Sequence, residues 1–128
     1  MNKIQIVHYG NKWEESHQKF AKKYYNNRRK RVIPEYIYWK FRSKKEIDTE
    51  LFLLAISDNE VVGQLGLIPC RIILKSKVFD AHWVCDLMVD KKFRGKGIAP
   101  SLYTEAMRKK ILLASGTSPS SAKSFSRF

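Results

Sequence analysis

Weak alternation opens the chain: Ile4, Ile6 and Val7 stand among polar residues between Lys3 and Tyr9, which predicts a first strand. Trp13, His17, Phe20, Ala21 and Tyr24 then recur at spacings of three and four, so they share one face of a helix. Asn11 with Glu14 three residues later has the form of a capping box and predicts the start of that helix. His17 lies on the apolar face, a position that suits a core or edge histidine better than a catalytic one. Pro34 favours a first helical turn, and Glu35 to Phe41 reads as a short second helix crowded by Tyr36, Tyr38, Trp39 and Phe41.

The pattern changes at Leu51. Leu51 to Ser57 is nearly continuous apolar sequence, the mark of a strand covered on both faces. Asp58-Asn59-Glu60 is turn chemistry, and Val61 to Leu67 returns as the second arm of a hairpin. Gly63 and Gly66 in that arm predict a bulge or the close approach of another part of the chain. Beyond Pro69, Arg71 to Leu74 and Val78 to Val89 flank a further turn at Lys75-Ser76-Lys77, giving an antiparallel meander. Ile98, Leu102 and Ala106 form one ridge of a third helix, and Tyr103 and Met107 the next, with Lys109 and Lys110 near its favourable end for cations. Ile111 to Ala114 either extends that helix or begins a fifth strand. Ser115-Gly116-Thr117-Ser118-Pro119 is loop, and Ser121 to Phe128 has the pattern of another helix start. No repeat or linker divides the chain, so residues 1–128 read as a single domain with room for one modest core.

Charge adds a partner to this picture. The formal net charge is +13, concentrated in Arg28 to Arg31, Lys40 to Lys45 and Lys91 to Lys96, which calls for something anionic: nucleic acid, an acidic substrate or a phosphorylated cofactor. Aromatics beside a basic cluster can stack nucleic-acid bases. Without the spacing of a known nucleic-acid motif, their packing onto a sheet with cationic heads in water is favoured. No apolar run reaches the roughly 18 residues of a membrane span, and the polar N-terminus does not read as a signal peptide. The expected location is cytoplasmic. Cys70 and Cys85 lie in apolar runs and read as buried reduced thiols; His82 stands near Cys85 but no second ligand pair accompanies them, so no metal site is expected.

The chemistry concentrates after the apolar run Val84 to Val89, in the loop Arg94-Gly95-Lys96-Gly97-Ile98-Ala99. Glycine permits tight turning and close approach by a ligand. A helix beginning there directs unpaired N–H groups and its positive dipole end at the loop, a phosphate-binding arrangement. The Walker pattern G-x-x-x-x-G-K-S/T is absent, and a dinucleotide fingerprint started at Gly95 would put its third glycine on Pro100. Arg94-x-x-Gly97-x-Ala99 remains.

That pattern, directly after Asp86-Leu87-Met88-Val89-Asp90, resembles the hallmark Q/R-x-x-G-x-G/A of the GNAT N-acetyltransferases, and the element order over nearly the whole chain is similar to theirs. The resemblance implies an α/β (α+β) fold with a mixed, mostly antiparallel central sheet flanked by helices, here lacking the final strands. It implies acetyl-CoA as acyl donor, with the pyrophosphate on the backbone of Arg94, Gly95, Lys96, Gly97, Ile98 and Ala99 and the pantetheine along Leu87, Met88 and Val89. A bulge would splay this strand from the next, and an N–H near Leu87 or Met88 would polarise the thioester carbonyl. The acceptor would be an amine on a small molecule or peptide, with an acidic one suited to the basic surface; Asp86 is the candidate base, its alternative role being a strand-end carboxylate paired to a nearby Arg or Lys. Phe125 falls where the family usually carries a proton-donating tyrosine, and Gly116-Thr117 with Ala122 to Phe128 resembles its late strand-to-helix segment. A CoA-binding scaffold without catalysis and a basic nucleic-acid-binding module remain as alternatives.

Overall fold

The structure, a computed structural model, describes residues 3–25, 32–41, 48–108 and 111–114. The elements are β1 (Gln5–Gly10), α1 (Glu14–Tyr24), α2 (Pro34–Lys40), β2 (Asp48–Ser57), β3 (Glu60–Leu74), β4 (Lys77–Val89), α3 (Ile98–Met107) and β5 (Ile111–Leu113). The strands form one sheet in the order β1-β2-β3-β4-β5. Pairing is antiparallel from β1 through β4, and β5 joins β4 in parallel. The fold is therefore mixed α/β with a mostly antiparallel sheet flanked by helices, as expected, and Ile111 to Leu113 takes the strand alternative.

Both faces of the central strands are covered, which is why Leu51 to Ser57 and Val61 to Leu67 are buried without interruption. The glycines of β3 show which helix lies where. A Cβ on Gly66 would stand 2.5 Å from the Phe41 ring at the end of α2, and one on Gly63 would stand 2.9 Å from Ile98 of α3. Since Gln64, on the Gly66 face, bonds His17 of α1, the alternation of β3 puts α1 and α2 on one face and α3 on the other. The α1 side holds an aromatic cluster in which Phe41 stacks on Phe52 at 4.6 Å, while Tyr9 and Phe52 meet the His17 ring edge-on. Such contacts contribute on the order of 1 kcal/mol each beyond burial.

Several local expectations are corrected. No capping box forms: Asn11–Trp13 is a 3-10 turn, and Asn11 Oδ1 and Glu14 Oε2 both lie within reach of the Tyr38 hydroxyl, at 2.9 and 3.0 Å. Tertiary contact to α2 has taken the side chains that would otherwise cap. The hairpin turns hold two residues, not three: Asp58-Asn59 and Lys75-Ser76 all have positive φ, the geometry whose twist matches antiparallel strands. Pro69 does not end β3, which pairs with β4 from Gly63 to Leu74. β2 reaches only Gly66, so the missing N–H of Pro69 breaks no ladder bond on that edge. Cys70 and Cys85 are free thiols but half-buried, not fully buried. Among the described residues no helix is long and apolar enough to cross a membrane.

Candidate functional site

The second half of β4 is where the sheet comes apart. β5 pairs only with Ala81, His82 and Trp83, so from Val84 to Val89 the outer edge of β4 has no strand neighbour among the described residues. On the inner edge the register passes from Gly66↔Cys85 to Gln64↔Met88. Asp86 and Leu87 therefore stand together opposite Leu65, a bulge on β4. Asp86 has φ +54°, a left-handed conformation that aspartate tolerates better than most residues with a side chain.

Contacts from α2 and β3 meet both the side chain and the main chain of this residue. Lys40 Nζ lies 2.7 Å from Asp86 Oδ2, with both side chains largely buried. The main-chain carbonyl of Asp86 accepts from Gln64 Nε2 at 2.8 Å. Gln64 in turn lies 2.8 Å from His17 Nε2 through Oε1 and 3.3 Å from the Tyr25 hydroxyl through Nε2. Burial drives the His17 pKa down from 6.5 to about 4, against the opposing pull of the Gln64 hydrogen bond, so at neutral pH the ring is uncharged.

Beyond Val89 the chain is fastened before it turns. Asp90 N–H donates to the Val62 carbonyl at 2.8 Å, and Asp90 Oδ1 accepts from Lys92 N–H at 3.0 Å, capping the 3-10 turn Lys91–Phe93. Lys91 N–H donates to the Tyr24 hydroxyl at 3.0 Å. From this anchored turn the glycine loop projects: Gly95 and Gly97 have φ near +78° and +79°, and a Cβ on either would meet nothing within 4 Å. Glycine is needed there for the backbone conformation, and the space above it is open. Gly97 is the residue before α3, and its carbonyl accepts the Ser101 N–H at 3.1 Å. The Ile98 and Ala99 N–H groups precede that first helical bond and have no partner within the helix, while Pro100 contributes no N–H.

The residues expected to act together are together. Leu87, Met88 and Val89 lie half-buried on the open edge of β4, and Arg94, Gly95, Lys96 and Gly97 are exposed on the loop. Ile98 is buried against Gly63 and anchors the start of α3 to the sheet. Arg94 turns back, its Nε donating to the Val89 carbonyl at 3.2 Å, and Lys96 Nζ sits 5.4 Å from the Phe93 ring centre. Tyr103 is buried in the core, which raises its pKa. At the second helix Ile37 and Phe41 are buried in the core, whereas Trp39 is 60% exposed. Phe125, Gly116-Thr117 and the basic run Arg28 to Arg31 lie outside the described residues.

Sequence reasoning missed Lys40 and Gln64. Gln64 had a visible signal, a lone amide between two glycines inside an apolar strand. A basic partner for Asp86 was foreseeable, but not that it would be Lys40, 46 positions away.

A family model described as an acetyltransferase (GNAT) domain matches residues 4–125. Comparison with curated protein sequences yields no match. The fold is similar to that of the aminoglycoside N-acetyltransferase AAC(6')-Iy solved in complex with CoA, with TM-score 0.72 and 14% identity over 99% of this chain and 85% of that one. The same enzyme bound to a bisubstrate analogue, CoA-S-monomethyl-acetylneamine, gives TM-score 0.68 and 12% identity over 98% and 86%. A GCN5-related N-acetyltransferase from Kribbella flavida gives TM-score 0.64 and 11% identity, covering 98% of this chain but 32% of the larger one. At these identities the structural likeness speaks for the fold alone. The family model spans nearly the whole length, and the chain belongs to the GNAT acetyltransferases.

Proposed function

We propose that this protein transfers an acetyl group from acetyl-CoA to an amine by direct attack on the thioester. The observation that carries the reading is the conjunction at the end of β4: an open strand edge, a bulge, and an uncluttered glycine loop at a helix N-terminus. The residues present fit the donor. The Ile98 and Ala99 N–H groups, with the dipole of α3, face the loop and suit a pyrophosphate. The backbone of Leu87 to Val89 suits the pantetheine amides, and the Arg94 and Lys96 charges supply long-range attraction.

Acetyl-CoA brings the activated acyl group, and this chain's residues would position and deprotonate the attacking amine. An alkylammonium has a pKa of roughly 10.4, so a proton must leave before attack. Asp86 is the proposed acceptor of that proton, directly or through water, with Lys40 orienting its carboxylate. Holding donor and amine together supplies much of the acceleration. The net charge of +13 disfavours a polycationic acceptor and favours an amine on a neutral or acidic scaffold.

Calorimetric titration with acetyl-CoA tests the donor site. Binding is expected, and Gly97→Val should weaken it by at least about ten-fold by combining an unfavourable φ with bulk in the phosphate path. No heat at about millimolar acetyl-CoA sinks the proposal. Binding without thiol release across a panel of amines would leave a CoA-binding scaffold in its place.

A further inference from the structure

Gln64 is buried in the middle of an apolar strand, and nothing in the loop uses it. The orientation of its amide can be deduced. The Asp86 carbonyl can only accept, so the atom 2.8 Å away must be the Gln64 NH2. The Gln64 oxygen then faces His17 Nε2 at 2.8 Å, so His17 carries its hydrogen on Nε2. A flipped amide would place oxygen against oxygen at the Asp86 carbonyl, which no change of His17 tautomer relieves. The Gln64 amide thus spans the sheet interior from the His17 ring to the Asp86 carbonyl, anchored at both ends.

No peptide bond among the described residues is cis, and in a trans peptide the C=O and the following N–H point in opposite directions. Holding the Asp86 carbonyl toward Gln64 therefore fixes the Leu87 N–H to point away from it. This peptide needs holding, because Asp86 is a non-glycine residue at φ +54° in a bulge whose edge has no β5 partner. We propose that Gln64, with His17 behind it, is a positioning residue that aims the Leu87 N–H at the thioester carbonyl. The proposal rests on the acetyl-CoA reading above and adds to it a buried pair that touches no substrate.

The test is Gln64→Met, which keeps length and bulk but removes both polar ends. Acetyl-CoA isotopically labelled at its carbonyl reports the hydrogen bond through its stretching band. The wild-type protein should lower that frequency on binding, and Gln64→Met should return it most of the way to the free value. Affinity measured by calorimetry should change little, because the loop is separate. With hydroxylamine as a small acceptor, kcat should fall by about ten- to a hundred-fold with KM for acetyl-CoA nearly unchanged, in line with the loss of an aligned oxyanion donor. The Leu87 amide resonance of the unliganded protein should also move. An unmoved carbonyl band and an unmoved Leu87 resonance in folded Gln64→Met overturn the proposal, as does a loss of affinity with kcat preserved. Should Gln64→Met not fold, His17→Phe takes its place. Its ring suits the neighbouring aromatics and removes the anchor on the amide oxygen, so smaller changes in the same direction are expected, and none would be the refuting result. If wild-type protein binds no acetyl-CoA, the donor reading fails, and the Leu87 resonance still decides whether Gln64 holds that peptide.

Discussion

Acid should loosen this protein before its carboxylates titrate, and His17 is the reason. The ring is 1% exposed, enclosed by Tyr9 from β1, Phe20 of α1, Phe52 from β2 and Gln64 from β3. Burial holds its pKa at about 4, against 6.5 for the exposed side chain. Above pH 6.5 neither folded nor unfolded chain binds a proton at this site, and the contribution to pH dependence is nil. As pH falls below 6.5 the unfolded state takes up a proton that the folded state refuses, and stability drops until about pH 4, where the folded ring also protonates. At 1.36 kcal/mol per pH unit the full loss is about 3 kcal/mol, of which about 2 kcal/mol has gone by pH 5. Urea unfolding followed by tryptophan fluorescence between pH 7.5 and 4.5 measures it. His17→Phe is the control: it leaves Gln64 Oε1 without its donor and costs about 1–2 kcal/mol at pH 7, but it should flatten the decline between pH 6.5 and 4.5. An equally steep decline in His17→Phe would refute the assignment and place the acid sensitivity elsewhere.

Other perturbations test the architecture that presents the site. Gly66→Ala puts a methyl 2.5 Å from two carbons of the Phe41 ring and should lower the unfolding free energy by about 1–3 kcal/mol, because a stacked ring is not a flexible tail. Lys40→Met leaves the Asp86 carboxylate partly buried without the ammonium now 2.7 Å away; a loss of about 1–3 kcal/mol is expected. Adding Asp86→Asn should recover part of it, which a double-mutant cycle would measure. Gly97→Ala has open space for its methyl but a φ of +79°; it should cost about 1 kcal/mol of stability, whereas Gly97→Val should add a loss of acetyl-CoA affinity.

Much of the fold was legible because the chain's local signals agree with their tertiary use. Trp13, His17, Phe20, Ala21 and Tyr24 fell on one face, and three of the five are buried. The two glycines in β3 did mark close approach, one to each layer of helices. Misreadings arose where a distant partner outbid a local one, as when Tyr38 engaged both residues of the expected capping box. Pro69 misled for a related reason: a proline weakens a strand only on an edge that must pair, and whether that edge pairs depends on where β2 stops. The glycine loop was the most legible part of the site, since a positive φ and an open approach are written directly as glycine. The bulge was less so, because Asp86 occupies a conformation for which glycine is the usual signal.

That substitution of aspartate for glycine bears on how the site is built. A glycine at the bulge would adopt the left-handed conformation freely, but it would also leave it freely. At Asp86, Lys40 from α2 meets the carboxylate and Gln64 from β3 the carbonyl, so the geometry of the open edge is tied to the packing of both elements. Past the strand end, β3 through Val62 and α1 through Lys23 and Tyr24 fasten Asp90 and Lys91, and with them the approach to the loop. The glycine loop is thus exposed, while the strand that feeds it is fastened from the α1 and α2 side of the sheet. Under the proposed reaction, preorganisation of this kind would place the cost of aligning the Leu87 N–H in folding, so that it need not be met again at each turnover.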